Sequence, residues 1–271
     1  MSLVLISKVI VTVGMVLSLS AVAERVSPRV AGLLSGYPLG AAIALFFMGL
    51  EIGPDFAAQS AVYTLVGLVA SQVFVYGYYR ASAALQRHVI PAATLTALGG
   101  YFAAAWLLHF IPFSPTAAVL VPVASILIFT RWFRKIRNVA ITRSVRFTFG
   151  VLLLRAGLAA LIILAVTGAA RAVGPAWAGL FAAFPTALFP LILIVHITYD
   201  KAHVHTIIKN FPLGLGALIA YALAVSQLYP SLGIYGGTIA AFAAATLYLL
   251  AYGAIVGRLR RARIDRTGAF G

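Results

Sequence analysis

The chain has no cysteine, which excludes disulfides and thiolate metal sites. It is also short of negative charge. Its 271 residues include only five acids: Glu24, Glu51, Asp55, Asp200 and Asp265. None lies at the centre of an apolar run, which argues against a carboxylate proton relay and against a buried pair of catalytic carboxylates. A glycine-rich phosphate loop, a nucleophile elbow and a metalloprotease helix motif are absent too. Polar stretches are too short to hold a soluble catalytic domain. The expectation is a protein that is not an enzyme and carries no cofactor.

What the chain does have is apolar length. Hydrophobic residues make up 63% and charged residues 9%, where a soluble domain carries about 25% charged. A spanning helix needs about 20 mostly apolar residues. Nine such segments are predicted, over 3–23, 30–50, 57–79, 89–109, 114–131, 147–170, 176–198, 207–228 and 233–256. The fold class expected is an all-α integral membrane protein.

The cations support that count. With nine spans, 17 of the 20 Lys and Arg residues fall on one side of the membrane and only Arg171 on the other. Lys8 and Arg155 lie inside spans. The positive-inside rule then places the N-terminus out and the C-terminus in. The net charge of +15 is therefore read as a loop asymmetry facing an anionic cytoplasmic leaflet, not as a nucleic-acid surface. Segment 1 has the look of a signal peptide, with Ala21-Val22-Ala23 before Glu24. It also aligns with the internal stretch 148–170, and cleavage would put the basic loops outside, so it is read as a span. Trp106, Trp132 and Trp177 fall at span ends, as interfacial aromatics do.

The chain repeats itself. Ser27–Pro38 returns 147 positions later as Gly174–Pro185, with Pro28/Pro175, Ala31/Ala178, Gly32/Gly179, Leu33/Leu180 and Pro38/Pro185 identical. The same register sets Lys8 on Arg155. Five spans separate equivalent points, so the copies are expected in opposite orientation. The predicted organisation is a first four-helix repeat (1–112), a spacer helix with a basic connector (113–146), a second repeat (147–257) and a basic tail (258–271). Inverted repeats of this kind are the recurring plan of secondary transporters.

The stretches Glu24–Leu39 (ERVSPRVAGLLSGYPL) and Ala178–Thr186 (AGLFAAFPT) resemble the GlpM-like family of small bacterial membrane proteins. Those are single units of about four helices, whereas this chain carries two in one polypeptide. The resemblance implies a bacterial or archaeal inner-membrane protein, plausible as a transporter, and carries no molecular activity with it.

Candidate site residues follow from the repeat. Gly36 and Pro38 interrupt segment 2; Pro185, Thr186 and Pro190 interrupt segment 7. Proline frees a backbone carbonyl one turn back, which in lipid must find a partner in protein or in a wet cavity. Two readings stand: packing kinks, or broken helices around a binding site. Lys8 and Arg155 likewise either snorkel to the interface or face the interior and attract an anion. Glu51 and Asp55 read as a solvated loop or an entry site for a cation or proton. His196, Asp200, His203 and His205 cluster near the cytoplasmic end of segment 7. They form either a wet loop or a transition-metal site, although their spacing matches no closed zinc pattern. His196 alone is also a candidate proton carrier.

The function expected is a secondary transporter or flippase for an anionic small molecule or a lipid-linked phosphate. The alternative is a non-transporting scaffold subunit of an envelope-synthesis complex.

Overall fold

The structure, a computed structural model, describes residues 6–14, 33–139 and 149–268. Among the described residues every regular element is a helix and no strand occurs. Residues 6–14 form α1, and one helical turn occupies 33–35. The helices that follow are α2 (Leu39–Glu51), α3 (Pro54–Ala84), α4 (Val89–His109), α5 (Pro115–Phe133), α6 (Phe149–Ala182), α7 (Leu188–Thr198) and α8 (Lys201–Gly268). Among the described residues six helical stretches are long and apolar enough to cross a membrane: Leu33–Glu51, Pro54–Ala84, Val89–His109, Thr116–Phe133, Leu152–Ala182 and Lys201–Ile255.

Six differs from the nine segments expected because two of the six stretches each hold all or part of two of those segments, joined at a glycine where the backbone leaves helical geometry. Gly174 has φ 77° inside α6, just ahead of Pro175. Gly233 has φ 69° inside α8. Both values lie in the left-handed region that a Cβ disfavours, so glycine is the residue that turns the chain there. Segment 7 is divided as well, between the end of α6 and the 11 residues of α7. Segment 1 falls mostly outside the described residues.

α3 runs through the middle of the bundle. Ser60, Thr64, Leu68, Ser71, Gln72 and Phe74 along it are all buried. α4 shows how the sequence chooses faces. Ala93, Ala97, Tyr101 and Ala105, spaced by four, are its buried stripe. Leu95, Phe102, Trp106 and Leu107 are exposed on the same helix. Small residues inside let backbones approach, and bulky apolar ones outside fit lipid rather than water.

The connections at Glu51 and Thr198 are tight. α2 ends at Glu51 and α3 starts at Pro54; α7 ends at Thr198 and α8 starts at Lys201. These boundaries coincide under the 147-residue offset that relates the two halves of the sequence.

Candidate functional site

The helix ahead of α2 stops at Ser35 because Pro38 brings no N–H and Gly36 adds no Cβ to hold the turn. Four backbone hydrogen bonds carry the chain across the gap. Gly36 N–H donates to Leu33, Tyr37 to Leu34, Leu39 to Tyr37 and Ala42 to Pro38. The break between α6 and α7 uses the same set. Ala183 donates to Leu180, Phe184 to Phe181, Thr186 to Phe184 and Phe189 to Pro185. Each bond of the first set maps onto one of the second by adding 147 to both partners. Both expected interruptions are therefore present, and both have one geometry.

The two breaks lie against each other. A Cβ on Gly40 would fall 1.8 Å from Thr186 Oγ1, so only glycine permits the approach. The helices run in opposite directions. Arg171 Nη2 donates to the Glu51 carbonyl oxygen at 2.8 Å, which sets the end of α2 beside the start of the stretch leading to the second break.

Glycines on the neighbouring helices lock this crossing reciprocally. A Cβ on Gly67 of α3 would come within 2.7 Å of Ala183 Cβ, beside Leu180. A Cβ on Gly214 of α8 would come within 2.0 Å of the Leu33 carbonyl oxygen, beside Gly36. Gly67 and Gly214 are themselves 147 apart, as are their partners. α3 thus packs on the break after α6, and α8 packs on the break ahead of α2. Hydroxyls satisfy carbonyls near the second break. Thr64 donates to Gly179 at 3.1 Å, Ser71 to Ala183 at 2.5 Å and Tyr101 to Leu180 at 2.5 Å.

Between the breaks is a small cavity of about 20 Å³, lined by Ser35, Pro38, Gly40, Pro185, Thr186 and Phe184 among others. That is room for about one water. Phe184 also walls a larger apolar groove of about 420 Å³ between α4 and α6, bordered by Leu98, Phe102, Leu158 and Ile162. The candidate residues Pro38, Pro185 and Thr186 thus line one cavity, while Gly36 packs against Gly214 of α8.

Lys8 is not brought to them. It is 4% exposed, so it does not snorkel. Its ammonium lies 2.8 Å from Glu51 Oε1 and donates at 2.8 Å to Thr167 Oγ1. Glu51 is consequently not a residue of a solvated loop: it closes α2 and neutralises Lys8. Asp55 sits in the first turn of α3, where a carboxylate suits the helix dipole. Arg155 lies within α6, and its side chain is outside the described residues.

The histidine cluster separates into three pairs. His196 Nδ1 lies 2.9 Å from the Tyr78 hydroxyl, and His205 Nε2 lies 2.9 Å from Ser82 Oγ. Asp200 accepts from the N–H groups of Ala202 and His203 and from the His203 ring. Among the described residues no group of three His, Cys, Asp or Glu could hold a metal. Asp200 is instead the N-cap of α8. Burial works against its charged form, but the hydrogen bonds from His203 and Ala202 outweigh that and hold the carboxyl below the usual range.

Thr167, Gly67 and Gly214 were not legible as site residues, and Glu51 was not legible as the partner of Lys8. Gly67 and Gly214 carried the one usable signal, since they obey the 147 offset. No protein-family model, curated protein or solved structure matches the chain.

Proposed function

We propose that the protein is a secondary transporter or flippase of a bacterial or archaeal inner membrane, working by alternating access between two inverted repeats. One observation carries this reading: the same four-bond break occurs in two oppositely directed helices that touch each other. Discontinuous helices at corresponding places in two halves are where such proteins bind substrate. In this reading the chain has nine spans, N-terminus out and C-terminus in, because the bends at Gly174 and Gly233 divide α6 and α8. α7, at 11 residues, is only about 16 Å long and crosses only when joined to the end of α6. The GlpM-like resemblance of each half belongs to the same proposal.

The substrate is proposed to be anionic. Half-helix N-termini at Leu39 and Leu188 point their positive ends into the breaks. Arg155 is the cation proposed to assist, since Lys8 already has its counter-charge in Glu51. The apolar groove that shares Phe184 with the cavity favours a lipid-linked phosphate over a small solute, its tail in the groove and its head at the breaks.

The absence of cysteine makes the test clean, because a single introduced thiol is labelled without background. Ser35→Cys and Thr186→Cys are reconstituted in vesicles and exposed to an impermeant thiol reagent from either side. Alternating access predicts labelling from both sides, and flipping of a fluorescent lipid phosphate by the unlabelled protein. No flipping, with thiols closed to both sides, would overturn the proposal and leave the scaffold role.

A further inference from the structure

Where α3 and α5 end, an open cavity of about 810 Å³ is lined by Tyr76, Tyr79 and Arg80 of α3 and by Arg131, Trp132, Arg134 and Lys135. Four of the seven are cations. Among the described residues no carboxylate lines the cavity and no ion pair involves these four. Glu51 and Asp200 are already engaged elsewhere, with Lys8 and His203. Four like charges around one space repel each other unless an anion joins them.

The cavity is built, not a chance fringe of basic side chains. Its floor is aromatic: the Tyr76 and Trp132 rings are 5.2 Å apart, and Phe129 and Phe133 pack on Tyr76 at 6.0 and 6.4 Å. The segment after α5 is pinned to α8. Lys209 donates to the Ile136 carbonyl, and Val139 N–H donates to Thr206 Oγ1. Those two bonds fix where Arg134 and Lys135 stand.

The surface leading to the cavity identifies the anion. Leu120, Val123, Leu127, Ile128 and Trp132 of α5 are all exposed. At these spacings they form a strip along one side of the helix, ending at the cavity. A soluble phosphate has no use for such a strip; an acyl chain does. We infer that the cavity binds the phosphate headgroup of an anionic membrane lipid, with its chains along the α5 strip. The site is separate from the crossed breaks and stands whether or not the protein transports. Basic pockets between membrane helices are suited to such headgroups.

The test is native mass spectrometry of the full-length, delipidated protein in neutral detergent, titrated with phosphatidylglycerol, phosphatidylcholine or inorganic phosphate. Phosphatidylglycerol is expected to bind at least tenfold more tightly than phosphatidylcholine. Arg131→Gln/Arg134→Gln should remove that preference. Arg137→Gln/Arg258→Gln, which loses the same charge outside the cavity, should keep it. Equal loss in both double variants would mean diffuse electrostatic attraction and overturn the site. Inorganic phosphate competing at the same concentration as the lipid would make the occupant a soluble phosphate and overturn the lipid assignment. No preference in the wild type would overturn both.

Discussion

The two ends of the bundle treat positive charge in opposite ways. At one end Lys8 is buried, and Glu51 and Thr167 reach it from two other helices. At the other, Arg80, Arg131, Arg134 and Lys135 surround an open cavity that no carboxylate among the described residues lines. Residue type does not decide the outcome; access to solvent does. A buried ammonium is tolerable only with a partner supplied by the chain, because desolvating an isolated charge costs several kcal/mol. An exposed guanidinium keeps its water and stays available to something outside the chain. The first end therefore serves stability and the second serves recognition.

Glu51→Ala tests the buried end and should have the largest effect. It strands a lysine that is 4% exposed, at a cost of about 3–5 kcal/mol. Lys8→Met should cost less, because the Glu51 side chain is 30% exposed and can hydrate. Lys8→Met/Glu51→Leu should return close to wild-type stability, since a buried pair is often no better than a packed apolar one. Thermal unfolding of the four proteins in detergent ranks them. Equal costs for the two single variants would break the contrast, because Lys8 would then be hydrated as well.

Between the two ends, the crossing depends on glycine. Gly214→Val would drive a side chain into the Leu33 carbonyl and should cost about 1–3 kcal/mol by overpacking. Gly168→Ala is the control, since nothing lies within 4 Å of its Cβ. Its cost should be slight or negative, as alanine is the better helix former. If Gly214→Val unfolded no sooner than Gly168→Ala, the breaks would not be locked by their neighbours.

Much of this middle region was legible in the sequence. The offset of 147 located both breaks, and Pro38 and Pro185 marked where each helix is interrupted. Apolar runs placed most helices, because length and composition alone decide what can cross a membrane. The partners of single charges were not legible. Lys8 and Glu51 are 43 positions apart, and no local pattern joins them. Periodicity reports which face is buried, never which helix covers it. The partners of the histidines were hidden for a related reason. Four potential ligands close in sequence look like one site, but Tyr78 and Ser82 of α3 draw two of them apart. The cavity beside α5 was half visible: its cations stand in the sequence as a loop bias, but the aromatic floor beneath them does not.

Asp200→Ala probes a carboxylate near the basic end. Loss of the N-cap of α8 should cost about 1 kcal/mol at neutral pH. The folded carboxyl lies below its usual range, so its contribution is present above the unfolded value and fades as pH falls through the folded one. The gap between wild type and variant should therefore close as the pH drops below about 4. A gap independent of pH would assign the loss to packing rather than to the charged cap.

The smallest effect on stability should come from the exposed cations themselves. Arg131→Gln should shift unfolding by less than about 0.5 kcal/mol in neutral detergent, because the residue is exposed and has no ion-pair partner among the described residues. It should even be slightly favourable at low salt, since one of four mutually repelling charges is gone. Adding anionic lipid should reverse the sign. A ligand that binds only the folded state stabilises it by about 2.7 kcal/mol at 100 times its Kd, and the variant forfeits part of that gain. Unfolding of wild type and variant, with and without the lipid, reads the reversal directly. A variant costly without lipid would show that Arg131 serves the fold as Lys8 does, and the two ends would differ only in depth.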